Sequence, residues 1–582
     1  MNIWDVWVIV LYFVLIFSIA IYYMKAAGKN TSEFFLSGRN LPWWLAGTAM
    51  VATTFAADTP LAVTELVARN GIAGNWLWWN LAIGGMLTVF FFAKLWRRAN
   101  ILTDVEFTEL RYSGKAAAAL RGIRAIYLGF LMNIIVMAWV NKAMQKIVQV
   151  LFPNAPDFLI VAGIMLVIAI YASASGLLGT ARIDSLQFVI AMIGTIILAI
   201  IVVSRPEVGG ISGLKAKLPD WVFKFTPKIG DSGSLKSTAA GILALSSGAF
   251  FAYIGLQWWA SWYPGADPGG GGYVAQRMMS AKDEKHSLLA TLWFIIAHYC
   301  IRPWPWIIVA LVSLVIFPDL PTVDKGKGFI MLMNNYLPSG LKGLLIASFL
   351  AAYMSTISSQ LNWGTSYIIN DFYRRFVKKN ENEKHYVLIS RISIIILTIL
   401  SLLVTKYLLQ TISGAWEFVI NASAGIGAVL ILRWYWWRIN AWSEISALTA
   451  PLIIYPISKY YFHLDSPITL YPTVFGTTIV WIIVTFLTKP VDSAKLSEFY
   501  KRVHPGGWGW KAIAKQHPEI KPDRGYLKLF AGWIAGIFLV YSALFGTGYL
   551  IFGEFINSLI AYAILALSIL VILRVKPWEK LA

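Results

Sequence analysis

Residues 51–63 read VATTFAADTPLAV. An apolar run that begins near Pro42 and is long enough to cross a bilayer is interrupted there by Asp58, Thr59 and Pro60. A carboxylate at bilayer depth costs several kcal/mol unless it faces protein or water, and a helix broken beside it frees backbone groups that lipid cannot satisfy. The break therefore marks a polar site enclosed by other membrane helices.

Outward from that stretch the whole chain has the same character. Of 582 residues, 58% are hydrophobic, 15% aromatic and only 13% charged. The pattern predicts an all-α polytopic membrane protein with about 15 spans, the first near 4–24 and the last near 554–575. The net charge of +20 is not a nucleic-acid footprint, because Lys and Arg fall in short stretches between apolar runs, as the positive-inside rule expects. With Asp5 before the first span and Lys25, Lys29 and Arg39 after it, the N-terminus is expected outside and that first span retained. One loop runs against the rule: 205–237, expected outside, carries Arg205, Lys215, Lys217, Lys224, Lys228 and Lys236. The polar segments are too short to build a separate soluble core. The longest, 489–526, is basic and expected to be cytoplasmic, with VHPGGWGWKAI as either an aromatic anchor at the interface or a packed loop. The single cysteine, Cys300, excludes an intrachain disulfide and a cysteine-built metal site.

A second span also breaks. In GLQWWASWYPGADPGGGGYVAQR, residues 255–277, Pro264, Pro268 and the run Gly269–Gly272 cannot continue a helix. The two breaks lie in the second and seventh spans, five apart. A second unit starting there enters the membrane from the opposite face, the parity of an inverted five-plus-five repeat, whose paired broken helices mark a transporter's binding site. The plainer readings are proline kinks in a helix bundle and a glycine loop at the inner face. A third feature is LLIASFLAAYMSTISSQLNWGTSYIINDFY, 344–373. Ser358 and Ser359 suit close helix packing. Ala352, Ser355 and Thr356, at i, i+3 and i+4, put a carbonyl and two hydroxyls on one helix face. Carbonyls freed near Asp58 would complete an oxygen set suited to Na⁺.

Four motifs then occur in order: FFLSGRNLPWWLAGTAMVATTFAAD, GLLGTARIDSLQF, Gln276–Arg277 after the second break, and AAYMSTISSQLN followed by NDFYRR. Together they resemble the sodium:solute symporter family of sodium–sugar, sodium–proline and sodium–sialate carriers, over roughly residues 33–440. The resemblance implies a leucine-transporter-type five-plus-five inverted repeat with extra flanking helices. It divides the chain into a first helix (1–30), a ten-helix transport core (31–440) and additional C-terminal helices (441–582). It places a sodium site at the carbonyls of Ala52, Phe55 and Ala352 and the hydroxyls of Ser355 and Thr356, with Phe55 where an aliphatic residue is usual. Asp184 matches an acid on the sodium exit route, or else pairs with Arg182 or another loop cation. Asp58 and Thr59 match positions that bind sugar hydroxyls in the sodium–galactose carrier. Trp78, Trp262, Tyr263, Trp416 and Glu417 are further candidates for the substrate site. GADPGGGG reads as an insertion, so the inner-gate aromatic is either Tyr263 or Tyr273.

The function expected is sodium-coupled symport of a small polar solute by alternating access across the cytoplasmic (inner) membrane, with Na⁺ as coupling ion and no other cofactor. A tenfold Na⁺ gradient supplies about 1.4 kcal/mol and 100 mV about 2.3, so one ion drives several-hundred-fold accumulation. Sugar leads, because an ionised Asp58 repels a carboxylate but accepts hydrogen bonds from hydroxyls. Amino acids, amines and, if Arg302 faces the pocket, carboxylated solutes follow. The competing class is an intramembrane enzyme using His298 with Cys300, though side chains two apart on a helix do not face each other.

Overall fold

The computed structural model describes residues 2–27, 36–101, 103–172, 177–226, 228–229, 244–245, 247–520, 522–523 and 525–579. Lys29, Lys236 and the opening Phe34–Phe35 of the first family motif lie outside them. Helix α1 (Ile3–Ala27) precedes a broken pair, α2 (Trp43–Thr53) and α3 (Asp58–Asn70). Then come α4 (Ile72–Ala99), α5 (Gly114–Leu151), α6 (Asp157–Ala172) and α7 (Leu177–Val203). A second series opens with the helical pieces Ser247–Phe251, Ala252–Gln257 and Trp258–Ala260, crosses an irregular stretch and resumes as α8 (Gly272–Ser280). It continues through α9 (Glu284–Ile316), α10 (Leu341–Val377), α11 (Glu383–Tyr407) and the pair α12 (Ile412–Ala422) and α13 (Ile426–Tyr435), which meet at 54°. The chain ends with α14 (Ala441–Thr449), α15 (Leu470–Leu487), α16 (Ser493–Val503), α17 (Tyr526–Ile551) and α18 (Phe555–Val575). A two-residue parallel pairing of Lys228–Ile229 with Ala244–Leu245 is the one strand pair among the described residues.

Nine helices among the described residues are long and apolar enough to cross a membrane, and α12–α13 taken as one span make a tenth. The sequence led to an expectation of about 15. The difference arises at short or interrupted segments: α2 and α3 have 11 and 13 residues, each short of the roughly 20 that crossing requires.

The first break follows from local chemistry. Pro60 stands in the first turn of α3, where its missing N–H costs nothing, and Asp58 places its charge at the positive end of that helix. Both halves are clamped: α2 packs on α7 and the start of α9, and α3 on the end of α9. At the intracellular end expected from the sequence, α16 is held by aromatic packing. Trp510 is buried and stacked on Phe499 at 5.5 Å, with the Arg111 guanidinium 5.0 Å from its ring. Trp508 is exposed, so the segment 503–513 is a packed loop with one aromatic left outside.

Candidate functional site

The first break opens on a cavity of about 60 Å³ between α3, α4, α5, α9, α10, α12 and the irregular stretch before α8. Its wall is largely aromatic. Trp139 stacks on Tyr263 with centroids 6.1 Å apart, Trp416 meets Tyr263 edge-on at 5.8 Å, and Trp78 stacks on Tyr299 at 5.6 Å. Set into that wall are four buried polar atoms with no hydrogen-bond partner: Asp58 Oδ1, Thr356 Oγ1, Gln360 Oε1 and Trp416 Nε1. Trp416 Nε1 lies toward Asp58 without closing a hydrogen bond to it. A polar solute in this cavity would find two acceptors, a donor and a hydroxyl that the protein itself leaves open.

Of the residues singled out from sequence, Asp58, Thr59, Trp78, Tyr263, Tyr273 and Trp416 share this cavity. Trp262 and Glu417 do not line it. Trp262 precedes Tyr263 in the irregular stretch, and its backbone N–H and carbonyl are both tied to Ser423 Oγ at 2.9 Å. Glu417 follows Trp416 on a helix, about 100° further round, and its charge faces Arg69 and Lys459. Trp139, Tyr299 and Gln360 also line the cavity and were not singled out; a glutamine inside an apolar span was the one signal available for them.

The oxygen set expected for Na⁺ adjoins the cavity. Ala352, Ser355 and Thr356 lie on α10, which packs against α2, and Phe55 meets Phe349 of α10 with centroids 6.5 Å apart. Ser355 Oγ donates to Asp184 Oδ1, while Asp184 Oδ2 is buried without a partner. Asp184 thus reaches the same cluster from α7, with Arg277 as the cation facing it. The Ala52 carbonyl accepts the Phe55 N–H at 3.0 Å.

Arg302 does not line the cavity. Its guanidinium is wholly buried against the break, where Nη1 donates to Val51 O at 3.2 Å and Thr54 Oγ1 at 2.9 Å, and Nη2 to Thr54 O at 3.1 Å. His298 does line it, and its Nδ1 accepts from Arg302 Nη1 at 2.8 Å, which leaves Nε2 to carry the ring proton. Cys300 turns away, its thiol toward Val540 O of α17 at 3.6 Å. The imidazole and thiol weighed from sequence therefore have no common site.

Polar contacts bracket the cavity along the chain. On the intracellular side expected from the sequence, residues 267–272 are buried rather than looped out. Trp96 Nε1 donates to Gly269 O at 2.8 Å, Gly272 N to Asp104 Oδ2 at 3.1 Å, and Tyr367 Oη to Asp104 Oδ1. Gly270 has φ +77°, and a Cβ there would lie 2.8 Å from Met278 and 3.0 Å from Trp96. The glycines are thus required by close packing, contrary to a loose inner-face loop. On the other side, Lys146 Nζ donates to Glu65 Oε1 at 2.8 Å and to Val323 O at 2.7 Å, and Ser413 N and Oγ donate to Glu65 Oε2.

A family model described as the sodium:solute symporter family matches residues 34–450. Among curated relatives, sodium/glucose cotransporter 1 of Oryctolagus cuniculus is 23% identical over 475 residues, covering 75% of this chain and 69% of that one. The sodium/glucose cotransporter of Vibrio parahaemolyticus is 23% identical over 476 residues, covering 77% and 83%. Among solved structures, a Na⁺-coupled sialic acid symporter in a substrate-bound outward-open state aligns with TM-score 0.65 at 19% identity, over 84% of this chain and 99% of that one.

Proposed function

We propose that this chain, which belongs to the sodium:solute symporter family, imports a small polyhydroxylated solute, a sugar, together with Na⁺ by alternating access. The family is one of transporters, and its relatives here include cotransporters of sodium and glucose. The observation that carries the sugar reading is the set of four unpartnered atoms in an aromatic-walled cavity. Asp58 and Gln360 offer acceptors, Trp416 a donor and Thr356 either. A hydroxyl both donates and accepts, so a polyol pairs with all of them, and its apolar ring faces stack on the tryptophans. A carboxylate would meet Asp58 with no cation on the cavity wall, since Arg302 is spent on the break. One further reading has its own support: aromatic rings around a carboxylate also suit an ammonium group.

In this reading Na⁺ takes the carbonyls of Ala52, Phe55 and Ala352 and the hydroxyls of Ser355 and Thr356. The unpartnered Thr356 Oγ1 and Asp184 Oδ2 support that set. Na⁺ leaves past Asp184. Tyr263 and Tyr273 close the inner side of the solute, and both lie on the cavity. The architecture is a leucine-transporter-type repeat of five plus five within residues 31–440, preceded by a helix in 1–30 and followed by added helices in 441–582. With broken spans counted, that makes 15 crossings of a cytoplasmic membrane. Purified protein in liposomes, loaded with radiolabelled hexoses, polyols, amines and amino acids in Na⁺ or choline buffer, tests the proposal. Uptake of a hexose or polyol in Na⁺ alone is the expected result; uptake confined to amines selects the second reading, and equal uptake in both buffers removes sodium coupling.

A further inference from the structure

Arg302 is the one strong charge at the first break whose role the solute cavity leaves open. It reaches across from α9 and is covered on both sides by aromatic faces, Trp306 at 4.8 Å and Phe55 at 5.6 Å. Its hydrogen-bond partners are a carbonyl (Val51), a carbonyl and hydroxyl of one residue (Thr54) and an imidazole nitrogen (His298), and the carboxylate whose charge reaches it is Asp58 on the cavity side. Carbonyls set free at an unwound helix are what a monovalent cation seeks in such a fold. Here the Thr54 carbonyl and hydroxyl, with the Val51 carbonyl that also accepts the Phe55 N–H, are held by a cation covalently attached to the chain. The carbonyls of Ala52 and Phe55 belong to the Na⁺ set proposed above.

We propose that the Arg302 guanidinium is a tethered cation that fills the second carbonyl cluster of the first break, limiting the carrier to one Na⁺ per cycle. The inference rests on the Na⁺ set of α2 and α10, and adds to it the count of ions and the residue that sets the count. The physical reasons are two. The donors of Arg302 saturate the acceptors that a second Na⁺ would need, and its fixed positive charge repels any ion placed beside it. Because the charge never leaves, the break keeps half its cation shell when Na⁺ departs. Na⁺ binding then has only the α10 side left to order.

The test needs no knowledge of the solute, since radiolabelled Na⁺ is itself the probe. Equilibrium binding to the purified protein should saturate at one Na⁺ per chain, with a Hill coefficient of 1. Arg302→Gln, which removes the charge and supplies an amide oxygen, should bind two, with a Hill coefficient rising toward 2. Arg302→Lys, which restores a cation, should return the count to one. Two Na⁺ per chain in the unaltered protein would overturn the proposal, and so would a folded Arg302→Gln protein that still binds one with unchanged affinity. Should Arg302→Gln fail to fold, the count in the unaltered protein decides alone. Failure of the underlying Na⁺ set has a different signature: Thr356→Ala would leave Na⁺ binding intact.

Discussion

Asp58 and Thr356 stand on facing walls of one small space, and each ends in an oxygen that nothing in the protein satisfies. Their energetic roles differ. Asp58 Oδ1 makes no hydrogen bond within the protein, so Asp58→Asn, which keeps the side chain's shape, is expected to leave the thermal midpoint little changed while solute binding weakens about 10- to 100-fold, the cost of one charge-assisted hydrogen bond. Thermal unfolding and solute binding on the same sample check it; a lowered midpoint with undiminished uptake would make Asp58 a scaffold residue. Ser355 offers the proposed Na⁺ set a neutral oxygen off the cavity wall, so Ser355→Ala should raise the half-saturating Na⁺ concentration roughly tenfold with solute affinity at saturating Na⁺ little changed, whereas Thr356→Ala, whose hydroxyl also lines the solute cavity, should weaken both. At this scale the sequence was informative where chemistry is conspicuous. An aspartate between apolar runs and hydroxyls at i, i+3, i+4 announce themselves. Trp139 and Tyr299 did not, because an aromatic residue in an apolar helix looks the same whether it faces lipid, core or cavity.

Broken helices were legible from Pro60, Pro264 and the glycine run, since residues that cannot continue a helix leave a mark that no tertiary context erases. What the broken strand of chain does afterwards was not legible. Four glycines read as slack, yet Gly270 is pinned between Trp96 and Met278 with φ +77°. Gly270→Ala meets both the conformational cost of positive φ and a contact under 3 Å, and should lower the thermal midpoint by several degrees and reduce uptake. Gly340→Ala is the matched control: its φ is also positive, at +86°, but no atom lies within 4 Å of the added Cβ, so its loss should be smaller. A pair equally affected would assign the effect to backbone strain and not to packing. The tie between α3 and α5 allows a second check. Glu65→Gln leaves Lys146 charged and nearly buried, a change worth about 3–5 kcal/mol, whereas Glu65→Gln with Lys146→Met removes both charges and should recover most of that loss in a melting experiment.

Across the whole molecule, the hairpin of α17 and α18 binds the flank of the transport core. Trp533 Nε1 donates to Ile83 O at 3.0 Å, Tyr541 Oη to Trp79 O at 2.9 Å, and Trp304 Nε1 to Leu544 O at 2.8 Å. A Cβ on Gly548 would sit 2.1 Å from the Trp304 ring, so Gly548→Leu should push α17 off α9 and lower both stability and uptake; a variant indistinguishable from the parent in both would show the hairpin to be an ornament. Composition alone made the C-terminal helices look like generic spans, because a glycine that admits a tryptophan has no signature until its partner is known. The docking also bears on how the protein is made. The acceptors on α4 are synthesised more than 400 residues before the α17 donors that complete them, an interval of roughly 20–90 s at ordinary rates of translation. For the later part of that interval, from Trp304 until Leu544 follows 240 residues on, the Trp304 indole N–H is without this partner. Docking of α17 is therefore a late step that completes the hydrogen bonds of the transport core.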